Sequence, residues 1–108
     1  MEPIPFERGR VVYATAGRDR GRYFIVLDVV DGTQPGEKQG FALISDGRTR
    51  KLAHPKRKKC KHLRCKPVRM DALDTLRAAN MLKDSDLRNF LEANGFGLAG
   101  EIPLKEED

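Results

Sequence analysis

At 108 residues the chain can bury roughly two-thirds of its unfolded surface around one modest core, and no apolar run approaches the ~20 residues of a membrane span. Its 21 Lys+Arg against 16 Asp+Glu are unevenly spread: residues 48–69 hold eleven cations and no acid, residues 1–47 hold six against seven, and residues 70–108 hold four against nine. A segregated block of this kind favours a polyanionic partner on one face. Met1-Glu2-Pro3-Ile4-Pro5 has neither a basic n-region nor an apolar h-region, so a cytoplasmic setting with two reduced cysteines is expected.

Met1 to Phe6, with two prolines, reads as an extended lead-in. Gly9–Thr15 and Arg22–Val30 are the first two strand candidates, both rich in β-branched and aromatic residues. The loop between them carries Arg18, Arg20 and Arg22 at every second position, which in extended backbone would project to one side. Gly17 and Gly21 bracket its centre. Asp31 to Glu37 is rich in turn formers. Phe41–Ile44 suits a third strand. Asp46-Gly47 is a tight-hairpin dipeptide, which makes Arg48–Leu52 the expected return strand. After Pro55, Lys56 to Lys61 is almost wholly cationic, and Leu63 and Val68 mark a last short strand between Lys61 and Met70. This spacing of short strands favours a small closed barrel over a sandwich.

The pattern changes at Asp71. Ala72, Leu73, Leu76 and Ala79 fall at helical spacing, with Asp71 and Asp74 suited to a helix start. Lys83-Asp84-Ser85-Asp86 supplies a break and N-cap candidates. Leu87, Phe90 and Leu91 form a second apolar face that ends at Asn94-Gly95. The expected organisation is a barrel over 1–70 containing the basic segment 48–69, helices over 71–95 docked on the barrel, and an acidic, mobile tail over 96–108.

Gly9-Arg10-Val11-Val12, the loop Gly17-Arg18-Asp19-Arg20-Gly21 and the run Tyr23 to Val29 resemble the KOW motif, and Gly21 matches its nearly fixed glycine. The segment Phe6–Leu63, including Phe41 to Gly47 and His54-Pro55-Lys56-Arg57-Lys58-Lys59, is similar to bacterial KOW-domain RNA-binding proteins. Those are similar in turn to the archaeal and eukaryotic large-subunit ribosomal proteins of the fourteen-e class. Asp84 to Arg88 resembles the start of their terminal helix. The resemblance implies a small SH3-like (KOW) barrel, so that with the helical spacing above the expected fold is mainly β: a barrel of about five strands with a C-terminal helical appendage of two short helices. It also implies RNA binding, with ribosomal RNA favoured and ribosomal proteins as a further partner class.

The residues support that class independently, because Arg and Lys neutralise phosphates and release counterions. The candidate contacts are Arg18, Arg20 and Arg22 on the loop; Arg48, Arg50 and Lys51 after Asp-Gly; and His54, Lys56, Arg57, Lys58, Lys59, Lys61, Arg64 and Lys66 in the dense block. Asp19 is positioned to pair with one of the arginines. An isolated pair of surface cations would ordinarily serve solubility or guard a sheet edge. Eleven in twenty-two residues with no acid weigh toward a polyanion. Tyr13 and Tyr23 fit base stacking, but at strand positions core packing has the stronger prior.

Cys60, His62, Cys65 and His54 are possible soft ligands. Their spacing departs from a CxxC knuckle, however, and the surrounding cations repel a metal ion. Were residues 60–65 a strand, Cys60 and His62 would face away from Cys65. No metal or other cofactor is expected. The acids sit at helix starts, turns and the tail, and the Gly17–Gly21 loop lacks the Lys-Ser/Thr end of a P-loop, so no catalytic role is assigned. A monomer with no membrane attachment and no small-molecule substrate is expected. The second reading is a KOW-type protein-interaction module of the transcription elongation machinery, whose mark would be an exposed apolar patch on the barrel or on the Leu87-Phe90-Leu91 face. Binding of anionic lipid through Lys56–Lys66 is a weaker third.

Overall fold

The computed structural model describes Ile4, residues 6–30 and residues 40–96. Five strands, β1 (Arg10–Ala14), β2 (Tyr23–Val30), β3 (Phe41–Ser45), β4 (Lys56–Lys59) and β5 (Leu63–Arg69), form one antiparallel sheet in the order β4-β3-β2-β1-β5. A single 3-10 turn over Cys60–His62 joins the two edge strands. Its ends are tied to the sheet: Cys60 N–H donates to the Gly40 carbonyl at 3.0 Å, and Thr15 N–H to the His62 carbonyl at 2.9 Å. The fold is mainly β and barrel-like, with two helices, α1 (Ala72–Ala78) and α2 (Asp84–Ala93), following in sequence. No helix among the described residues is long and apolar enough to cross a membrane.

Alternation along β1 and β2 divides the core in two. Val12, Ala14, Phe24 and Val26 point into the barrel, where Ala42, Ile44, Cys60 and Leu63 complete a buried cluster. Val11, Ile25 and Leu27 point the other way and are covered by Met70, Leu73, Leu87 and Leu91. The central strands are therefore buried on both faces, which explains why β2 reads as a continuous apolar run rather than a strict alternation. The helices dock on the sheet as expected and, through Leu73, Leu87 and Leu91, help to close the second cluster. The alternation switches once, at a bulge between Val26 and Asp28 that leaves Leu27 without a ladder partner. Past the bulge Val29, at an odd position, joins the interior cluster with Phe24 and Val26. The Leu27 carbonyl freed by the bulge accepts from the Arg77 guanidinium at 2.7 Å.

The return strand expected at Arg48–Leu52 is not formed. Asp46 is the reason. Its carboxylate accepts from the backbone N–H groups of Arg48, Thr49 and Arg50, each at 2.9 Å, and from the Thr49 hydroxyl at 2.9 Å. Ser45 Oγ donates to the Arg50 carbonyl. Side chains thus occupy the backbone groups that a hairpin ladder would use. The chain pairs with β3 only later, through Lys56–Lys59, so the fourth strand lies inside the cationic block. Both edges of the sheet are consequently rich in basic residues, the arrangement that discourages edge-to-edge association.

The helices match the sequence pattern, but their caps differ. Asp71 makes no capping bond at α1 and accepts instead from the Arg69 guanidinium at 2.6 Å. At α2 the Asp86 carboxylate accepts from Lys83 N–H at 2.8 Å, while Asp84 Oδ1 reaches across the molecule to Leu52 N–H at 2.8 Å. The latter bond docks the helix start against the turn that Asp46 organises. The loop expected over Asp31–Glu37 and the mobile tail lie outside the described residues, except that Phe96 packs on Tyr23.

Candidate nucleic-acid interface

The β1–β2 loop is a sequence of turns, not extended backbone: Arg20 N–H donates to the Gly17 carbonyl, Arg22 N–H to that of Asp19, and Gly21 N–H to that of Ala14. The every-second-residue argument for its three arginines therefore does not hold. Arg18 and Arg20 are exposed, whereas Arg22 is half-buried at the foot of β2. Asp19 is buried and pairs with neither loop neighbour. Its carboxylate accepts from Arg50 Nη2 at 3.1 Å and Nε at 3.3 Å.

Lys58 needs a larger correction. It stands opposite Ala42 in the β3–β4 register, so it points into the barrel and is only 8% exposed. Its Nζ donates to the Ala16 carbonyl at 2.6 Å. An ammonium held there is unavailable to a phosphate. Lys58 and Arg50 are struts: one ties the loop to β4, the other ties it to the turn after Asp46. Lys58→Met keeps the stem but leaves the Ala16 carbonyl without its donor, so stability is expected to fall by about 1–3 kcal/mol. The salt dependence of RNA binding should stay unchanged; parallel urea melts and binding titrations check both.

The remaining predicted contacts fall into three groups. Arg48 is engaged by Glu92 at 3.0 Å, linking the Asp46 turn to α2. Arg57 is exposed on the outer side of β4 and lies over the Phe41 ring at 4.1 Å, which fixes its guanidinium without consuming its charge. Lys51, His54, Lys59, Lys61 and Arg64 are exposed, and Lys56 and Lys66 half-buried. None of these seven is ion-paired with an acid among the described residues. The path β4, 3-10 turn, β5 carries most of them in unbroken succession. The Lys58–Ala16 and Thr15–His62 bonds set the Arg18/Arg20 loop beside that path.

Four of the described acids are engaged elsewhere. Glu7, Asp28, Asp71 and Asp74 gather around Arg8, Arg10, Arg69 and Arg77, with Arg8–Asp74 at 3.0 Å and Arg77–Asp28 at 3.1 Å. Arg69, the last cation of the acid-free block, belongs to this paired region. Exposed pairs of this type contribute at most ~1 kcal/mol each. Their larger consequence is that, among the described residues, these four acids are not counter-charges to Lys56, Lys59, Lys61, Arg64 and Lys66.

Because residues 60–62 form a 3-10 turn, strand alternation fails there too. Cys60 and Cys65 both pack against the barrel interior instead of facing opposite ways. Neither forms a disulfide, and burial pushes the Cys60 thiol up from its ordinary value, as suits a small apolar filler. Among the described residues no group of three or more His, Cys, Asp or Glu converges to hold a metal ion. Tyr13 and Tyr23 are half-buried and in ring contact, with centroids 5.0 Å apart, and burial followed by the neighbouring Tyr13 phenol raises the Tyr23 hydroxyl's pKa. The sequence missed the structural roles of Lys58 and Arg50. Only the β3–β4 register, which places Lys58 opposite Ala42, could have shown the first. No protein-family model matches the chain.

Proposed function

We propose that this protein is a non-enzymatic RNA-binding module of the cytoplasm, binding ribosomal RNA in association with the ribosome. One observation carries the reading: along the β4–3-10–β5 path and the adjoining loop the exposed charged residues are all cations, while Asp19 is buried on Arg50 and the other described acids are bonded elsewhere. Such a surface attracts phosphates without requiring base contacts. The likeness of the strand–loop–strand segment to KOW-domain RNA-binding proteins points to the same partner.

The protein-interaction alternative called for an exposed apolar patch. Leu87 and Leu91 are buried against the sheet, Phe90 is half-buried, and the large exposed hydrophobics among the described residues are Ile4 and Met81 alone. That alternative therefore gains no support. Cofractionation with ribosomal particles that is lost after RNase treatment is the expected result. A protein partner retained through RNase would overturn the proposal.

A further inference from the structure

Tyr13 occupies an unusual position. It lies on the outer side of β1, in line with buried Val11, yet it belongs to neither core cluster. In the sheet register it stands between Tyr23 on β2 and Arg64 on β5. Tyr23 in turn stacks on Phe96 at a centroid distance of 4.6 Å. One row across the end of the sheet therefore reads Arg64, Tyr13, Tyr23, Phe96. Phe96 and the cluster that includes Leu87 and Leu91 of α2 cover its Tyr23 end, and Tyr13 is only half-buried, beside exposed Arg64. Two residues beyond Tyr13 the chain enters the loop bearing exposed Arg18 and Arg20. Thr15, at the start of that loop, is bonded by both its N–H and its hydroxyl to the His62 carbonyl, next to exposed Lys61.

From this placement we infer that Tyr13 is a stacking platform for an unpaired RNA base, with Arg64, Arg18, Arg20 and Lys61 holding the flanking phosphates. The inference rests on the RNA-binding reading and sharpens it: the ligand contains unpaired nucleotides, because a base within a duplex has no free face to offer. A core role for the ring would place it in one of the two clusters, and it is in neither. A protein partner would find a single half-buried ring bordered by Arg64 and by the cationic loop, whereas a nucleotide supplies both the π-face and the negative charge.

The test compares a short oligouridylate with an RNA duplex of matched phosphate count at one salt concentration. Tyr13→Ala is expected to weaken oligouridylate binding by ~5- to 150-fold and duplex binding by less than about twofold. Tyr13→Leu, which preserves an apolar strand residue, should behave like the alanine variant, and Tyr13→Phe like the unaltered protein; thermal melts identify any variant that fails to fold. The chain has no Trp and two Tyr, so Tyr23→Phe leaves Tyr13 as the sole source of tyrosine emission. Oligouridylate should quench its fluorescence, and the duplex should not. If oligouridylate binds but Tyr13→Leu is indifferent, or if both RNAs weaken equally, stacking is overturned while RNA binding stands. If neither RNA binds, both readings fall. Tighter binding on deletion of residues 97–108, with Tyr13 unresponsive to oligouridylate, would assign the face to the chain's own tail and overturn the inference.

Discussion

Replacing Lys56, Lys59 and Lys61 together by glutamine will lower the slope of log affinity against log salt by about 2 to 3, since each phosphate contact contributes ~0.7–0.9 to that slope. The unaltered protein presents nine cations suited to phosphate: Arg18, Arg20, Lys51, Arg57, Lys59, Lys61 and Arg64, all exposed, and Lys56 and Lys66, half-buried. If ~6–10 phosphates are engaged, affinity for structured RNA should fall ~10³–10⁵-fold between ~50 and ~200 mM salt. Lys58 is left intact in this variant because it is an internal strut. Replacing Arg18, Arg20 and Arg22 should weaken binding less, because the three lysines lie within the continuous β4–3-10–β5 run of cations, flanked by Arg57, Arg64 and Lys66, whereas the loop adds two exposed arginines at its margin. Binding isotherms at several salt concentrations check both. A slope unmoved by the lysine triple would sink the electrostatic account, and a larger loss from the loop variant would make the loop the principal contact.

The largest expected effect on folding comes from one glycine. Gly47 has φ +72°, and a Cβ placed on it would lie 2.2 Å from the Asp84 carbonyl oxygen and 3.0 Å from its carbon. The left-handed conformation costs a side chain ~1–2 kcal/mol by itself. The overlap is with backbone, so no rotamer relieves it, and α2 must move away from the Asp46 turn. That movement would break the Leu52–Asp84 bond and the one from Arg88 to the Gly47 carbonyl at 2.9 Å. Gly47→Ala is expected to cost about 3–5 kcal/mol, a large share of the 5–15 kcal/mol that holds a typical domain. Gly95 is the control: its φ is +85°, but an added Cβ meets nothing within 4 Å, so Gly95→Ala should cost only ~1–2 kcal/mol. Urea midpoints of the two variants separate backbone strain from collision. Equal losses would show that α2 does not abut the turn.

Much of the fold was legible because its signals are local. Val11 to Val30 announced two strands through β-branched and aromatic density, and the structure ends them within a residue of the expected positions. Leu73, Leu87 and Leu91 announced helices through their spacing, and all three are buried. The fourth strand was illegible. Four consecutive cations carry little strand propensity, and Lys56–Lys59 extends because β3 offers an edge and because Asp46 has closed the nearer turn on itself. Asp-Gly correctly marked a turn. It could not reveal that the aspartate would gather the backbone N–H groups of three residues, Arg48, Thr49 and Arg50.

The candidate interface divides in the same way. Charge segregation is a property of composition, so the block over 48–69 and its excess of eleven cations were determined by the sequence alone. Which of those cations face outward was decided by tertiary structure. Lys58 and Lys59 are adjacent and chemically identical, yet strand alternation sends the first into the barrel and the second into solvent. Arg50 was likewise allotted to an acid distant in sequence, Asp19, 31 residues away, and Arg69 to Glu7 as well as to neighbouring Asp71. A linear sequence counts charges, but the pairing of a charge depends on which groups the fold brings within a few ångströms, and only the packed sheet and its register set that distance.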